Sequence, residues 1–331
     1  MFQNNMTTMP PLIRSRNIHK AGDVFAPGSL NMTRLEAFSQ CYVDPIKYAN
    51  YIDVPVTCSI SDAYKLVFHT IPKSASSTGR IVMETYFNAT EERCHEILKE
   101  EAVRDSYFHF TMTRDPLSRF FSSFDEMLFR YVNRRSNRRR VYRLPEAYQE
   151  PFKPFQHMTN KRYMRVPAET ILQTFEQFTN VYDGADPFDV HLRLQVPTFF
   201  AQVGQGRQTV PNTLFHTMVD TSELDAHMRA MSHQVGGTAR KLPEEGIAPM
   251  YTKQRRFNTS RVATTTMQRI CQLVAIDFCC LNYPLPNVCK DSVSCRWVEA
   301  LSTSHGKHRL LIEAVSPVPA VLEHASKDEP L

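Results

Sequence analysis

Residues 64–79, YKLVFHTIPKSASSTG, constrain the fold more than any other stretch of the chain. Leu66, Val67 and Phe68 stand in a row, the pattern of a strand covered on both faces. Pro72 lacks an N–H for a sheet ladder and ends that strand. Lys73, Ser74, Ser76, Ser77 and Thr78 follow, one cation and four hydroxyls where a helix begins, and Ile81, Val82, Thr85 and Tyr86 continue at near-helical spacing. A strand feeding a helix through such a turn aims backbone N–H groups, a positive helix end and a lysine at one point. That point suits an anion, most naturally a phosphate or sulfate.

Residues 107–124, YFHFTMTRDPLSRFFSSF, repeat the plan. An apolar strand closes at Arg114-Asp115-Pro116, and Leu117, Phe120, Phe121, Phe124, Leu128 and Tyr131 mark one face of the helix that follows. Ser122 lies eight positions after Arg114, about two helical turns on. An arginine at the strand end and a hydroxyl on the helix suit a second phosphate, gripped by charge-assisted bonds. Two anion sites on neighbouring units suit a ligand with phosphates at both ends.

IPKSASST resembles the phosphosulfate-binding loop of sulfotransferases, and RDPLSRFFSSF resembles their 3′-phosphate motif, R-x-P-x-x-R-x-x-S. The wording is similar to that of the Golgi carbohydrate O-sulfotransferases: Arg-Asp-Pro to the uronosyl and heparan 2-O branch, His191-Leu192 and Asp277-Phe278 … Tyr283 to the chondroitin and dermatan branch. The resemblance spans residues 60–285. It implies an α/β, P-loop-like sulfotransferase fold, with a central, mostly parallel sheet flanked by helices. It also implies 3′-phosphoadenosine-5′-phosphosulfate (PAPS) as donor, a carbohydrate hydroxyl as acceptor, and no metal.

Sulfuryl transfer, like phosphoryl transfer, rests on alignment and on positive charge at the bridging oxygen of the leaving phosphate. Lys73 is assigned to that oxygen, with Ser74, Ser76, Ser77 and Thr78 on the 5′ end and Arg114 and Ser122 on the 3′-phosphate. Arg119 is assigned a structural role. The base that takes the acceptor's proton stays open among His95, His191 and Glu84.

Of the alternatives, a P-loop kinase would place its lysine at the end of G-x-x-x-x-G-K-[ST], whereas here the lysine comes first and the glycine last. A non-catalytic glycan-binding protein on the same scaffold would use the arginine run described next.

The net charge of +5 is unevenly spread: residues 130–165 hold 11 Lys and Arg against two Glu. Arg134, Arg135, Arg138, Arg139, Arg140 and Arg143 form a run expected to face a polyanionic glycan. Nucleic acid is disfavoured, because the run lacks interleaved aromatics and no nucleic-acid module is present.

None of the eight cysteines forms a C-x-x-C pair, and five fall between 271 and 295, as disulfides in an oxidising compartment would. Sequons at Asn5, Asn31, Asn88 and Asn258 point the same way, to the Golgi lumen or secretory pathway. No apolar run reaches bilayer length and no leader pattern opens the chain, so membrane attachment is expected only through an anchor outside it.

Along the chain, residues 1–45 read as an irregular arm, 46–300 as the catalytic domain and 301–331 as a polar tail. Within the domain, 91–104 read as a charged connection with a helix, 167–181 as an amphipathic helix and 214–219 as a strand. Residues 221–223 read as a helix cap, 231–256 as a polar loop and 259–278 as one long helix.

Overall fold

The computed structural model describes residues 24–25, 28, 32–41, 48, 51, 56–133, 144–156, 158–184, 188–204, 214–248, 255–299 and 308–314. The arginine run at 134–143 lies outside them. In chain order the elements are β1 (Val24–Phe25), α1 (Arg34–Ser39), β2 (Thr57–Ser61), β3 (Leu66–His69), α2 (Ser76–Phe87), β4 (Thr90–Arg93), α3 (Cys94–Ile97), α4 (Glu101–Ser106) and β5 (Phe108–Thr113). Then follow α5 (Pro116–Asn133), α6 (Asn160–Tyr163), α7 (Ala168–Val181), α8 (Gln195–Gly204), β6 (Thr217–Asp220), α9 (Leu224–Gln234), α10 (Thr264–Leu273), α11 (Ala275–Cys280), β7 (Val293–Glu299) and β8 (His308–Ala314).

The apolar triplet at 66–68 forms β3, buried along its whole length. It lies in a five-stranded sheet of order β4-β2-β3-β5-β6. The half that carries the two motifs is parallel: β3 pairs with β5 in the register Phe68↔Phe110, and β5 with β6. The other half is antiparallel, through β2 and the charged edge strand β4. The chain is thus an α/β fold, a mixed sheet flanked by helices, and parallelism has a direct consequence. The turns after β3 and β5 leave the sheet at the same edge, where the carboxyl ends of parallel strands leave a crevice for a ligand.

Alternation along the strands sorts the core into two faces. Leu66, Phe68, Phe110 and Met112 pack with Val82, Met83, Phe87, Leu224 and Met228 from α2 and α9. Val67 faces the other way, with Ile60, Ile97, Val103 and Leu214. A larger apolar body gathers α5, α7, α10 and α11 around Phe124, Phe175, Phe178 and Phe278. Gly79 belongs to the first face: a Cβ there would come within 2.5 Å of the Phe68 ring, so only glycine lets α2 approach β3 so closely.

All eight cysteines pair, as Cys41–Cys280, Cys58–Cys94, Cys271–Cys289 and Cys279–Cys295. Such bonds persist in secreted or luminal proteins. Cys58, Cys94 and His69 lie together as metal ligands would, with both sulfurs joined in the disulfide. No helix among the described residues is long and apolar enough to cross a membrane.

Several boundaries depart from the sequence reading. The charged stretch after α2 opens with an edge strand, β4, before its short helices. The single helix expected over 259–278 is broken at Val274 into α10 and α11. The strand expected from Leu214 begins at Thr217. Asp220, one residue before the expected cap, accepts from Ser222 N–H while Glu223 accepts from Asp220 N–H. Residues 308–314, inside the expected polar tail, form β8 against β7. That strand carries Leu310, Leu311 and Ile312, an apolar run short enough to be overlooked among polar neighbours.

Candidate active site

The turn between β3 and α2 is bent by two left-handed residues, Lys73 (φ 68°) and Ala75 (φ 53°). Left-handed backbone costs a non-glycine residue roughly 1 kcal/mol or more, so surrounding contacts must hold it. They are arginines. Arg119 Nε donates to the Pro72 carbonyl at 3.1 Å, and Arg114 Nη1 donates to the Lys73 carbonyl at 3.3 Å. Ala75 takes the cap position of α2 without a side-chain cap, and Gly79 N–H closes the first turn on its carbonyl. The amides of Ser76, Ser77 and Thr78 therefore have no acceptor within the helix. With the loop carbonyls held by arginines, the turn ends in a helix N-terminus of the kind that suits an anion.

Gln195, at the start of α8, joins the two turns. Its Oε1 accepts from Ser74 Oγ at 3.0 Å and from Arg114 N–H at 2.9 Å, and its Nε2 donates to the Arg114 carbonyl at 2.8 Å. Gln195 and Ser74 are both fully buried, so Ser74 braces the loop from beneath. Gln195 is fixed in turn by Asp277, whose carboxylate accepts from the N–H groups of Gln195 and Val196, each at 2.9 Å. Burial raises the Asp277 pKa; the nearby Arg119 charge opposes that rise.

Arg114 is half-buried, and its basicity is lowered first by desolvation and then by the neighbouring Arg255. The Arg255 guanidinium lies 4.8 Å over the Phe121 ring, with Nε 3.7 Å from Asp125. Phe121 and Asp125 lie on α5, so Arg255 packs on the helix that carries Ser122, and it is close enough to Arg114 to act on it. Two cations close enough to repel each other form a place that an anion would relieve.

Lys73 Nζ reaches Glu126 Oε2 on α5 at 3.1 Å, and Arg130 Nε reaches Glu126 Oε1 at 2.8 Å. The structure thus joins Lys73 and Arg114 at one edge of the sheet, with Ser76, Ser77 and Thr78 in the first turn of α2 and Ser122 one turn before Glu126 on α5. The three residues considered as a base stand on α2, on α3 and on the segment before α8, His191 being joined to the phosphate turn through Arg119. Glu84 is exposed on the third turn of α2. His95, on α3, has Nε2 3.8 Å from Glu96. His191 is buried, with Nδ1 2.5 Å from Asp189 and its carbonyl accepting from Arg119 Nη2 at 3.4 Å.

Gln195, Asp277 as a cap, Arg255 and Glu126 were not singled out from the sequence. Gln195 and Asp277 act across 81 and 82 residues, which no local spacing reveals. Glu126 did leave a signal: it is four residues after Ser122, on the same helical face.

A profile of the Sulfotransferase family matches residues 57–284, which take in the sheet, both turns, Gln195 and Asp277. No curated protein and no solved structure matches the chain significantly. With the match covering well over half of its 331 residues and centred on this site, the chain belongs to the sulfotransferase family.

Proposed function

We propose that this sulfotransferase moves a sulfuryl group from PAPS to a hydroxyl of a carbohydrate, in the Golgi lumen. The observation that carries the reading is the 3.3 Å contact between Arg114 and the Lys73 carbonyl, since one nucleotide can engage both turns only if they adjoin. The α2 amides with Ser76, Ser77 and Thr78 would hold the 5′ end, and Arg114, Ser122 and Arg255 the 3′-phosphate. Lys73 would carry its charge to the bridging oxygen as the bond to sulfur breaks. The arginine run at 134–143 would draw in a polyanionic acceptor.

The test is a thermal shift with 3′-phosphoadenosine-5′-phosphate (PAP) against ATP with magnesium, followed by labelled donor and a glycan panel. Stabilisation by PAP and label transfer to a glycan are expected. Stabilisation by ATP with magnesium alone would make the protein a kinase instead. Lys73→Ala should cut transfer by about 10²–10³-fold, the worth of one charge at a developing anion. Its stability should change by less than about 1 kcal/mol, since the ion pair lost is partly exposed.

A further inference from the structure

We propose that Glu126 is the general base of the transfer, the group that takes the proton of the incoming hydroxyl; this rests on the sulfuryl-transfer reading above. A carboxylate is out of place in a pocket built from Lys73, Arg114 and Arg255 to attract an anion. It repels the charge that the pocket draws in, so a purely binding site would be better without it. Yet Glu126 is paired directly with Lys73. Its two oxygens meet Lys73 Nζ at 3.1 Å and Arg130 Nε at 2.8 Å. Its side chain is 13% exposed, largely withdrawn from bulk water.

The chemistry needs such a neighbour. Lys73 serves the oxygen that leaves sulfur, and the base serves the oxygen that arrives, so the two must flank one reacting atom. The Lys73–Glu126 pair brings both groups to one place, and because the arriving and leaving oxygens lie on opposite sides of sulfur, the pair must part as the donor binds. When Lys73 turns to the leaving oxygen, Glu126 Oε2 gives up that bond and becomes an acceptor for the hydroxyl proton. In the step, the acceptor O–H bond breaks and its proton passes to Glu126. The acceptor oxygen bonds to sulfur, the bond from sulfur to the phosphate oxygen breaks, and the electron pair leaves on that oxygen beside Lys73. Arg130 on Oε1 keeps the carboxylate oriented. Of the other candidates, Glu84 stands exposed on the third turn of α2, His95 on α3 beside Glu96, and His191 is buried with Nδ1 on Asp189; neither oxygen of Glu126 is shared with them.

Hydrolysis of PAPS by water, read as PAP release across pH, tests the assignment without knowledge of the acceptor. PAP affinity is measured in parallel by calorimetry. Glu126→Gln should release PAP about 10²–10³-fold more slowly than wild type and lose the acidic limb of the pH–rate profile. Its PAP affinity should stay within about fivefold, the effect of one partly exposed ion pair. Formate should restore part of the rate to Glu126→Ala, while His191→Gln should keep the acidic limb. Hydrolysis by Glu126→Gln at the wild-type rate would overturn the proposal. So would a loss of PAP affinity as large as the loss of rate, which would make Glu126 only a holder of Lys73. Wild-type protein that binds PAP but never releases it from PAPS would refute this step alone, whereas failure to bind PAP at all would remove the donor reading first.

Discussion

Gln195→Ala should uncouple the two phosphate turns, and the size of the effect follows from the bonds it removes. The side chain makes three hydrogen bonds, to Ser74 Oγ, Arg114 N–H and the Arg114 carbonyl, all at 2.8–3.0 Å in a fully buried setting. Each such bond contributes about 1 kcal/mol net, and a buried group left without a partner costs about 1–3 kcal/mol. A water entering the vacated space would recover part of this, so about 4 kcal/mol of destabilisation is expected. In a domain this large that lowers the melting temperature by roughly 8–16 °C. PAP affinity should fall by at least about tenfold, because the turn geometry is no longer fixed before binding. Differential scanning fluorimetry and calorimetry with PAP give both numbers. Gln195→Glu is the sharper variant: it keeps the shape but turns an oxygen toward the Arg114 carbonyl in place of the donor. An alanine variant that melts and binds like wild type would show that the turns are held by something other than this amide.

Arg255→Ala should weaken PAP more than adenosine 5′-phosphosulfate, which lacks the 3′-phosphate, with a difference of about tenfold or more. Equal losses for both ligands would place Arg255 away from that phosphate. His109 is fully buried, with Nε2 bonded to the Val103 carbonyl, and desolvation pushes its pKa down to about 4. A histidine held neutral in this way stabilises the fold above pH 6.5, its unfolded value, and the stabilisation is lost as pH falls from 6.5 to 4. The full effect is about 3 kcal/mol. The urea midpoint of His109→Gln should therefore fall less than that of wild type over this range; parallel curves would refute it.

Both turns were legible because each is a local pattern: three apolar residues, a proline and a cluster of hydroxyls define 64–79 without help from the rest of the chain. The family ending was legible as packing, and Phe278 is indeed core, while Tyr283 donates to Asp220 at 2.6 Å at the end of β6. Its neighbour Asp277 proved to be a polar anchor, which spacing could not disclose because its partners lie in another third of the sequence. The break at Val274 was hidden for a related reason. The apolar period runs on through it, while the three disulfides reaching Cys271, Cys279 and Cys280 tie the helices on either side to different parts of the chain.

The dependence of Gln195 on Asp277 sets a schedule for biosynthesis. A nascent chain released from the ribosome through 204 already has both turns and the glutamine, yet the carboxylate that seats α8 is still some seventy residues from being made. No truncated product ending before 277 should therefore retain nucleotide, and the cell cannot obtain partial activity from an unfinished copy.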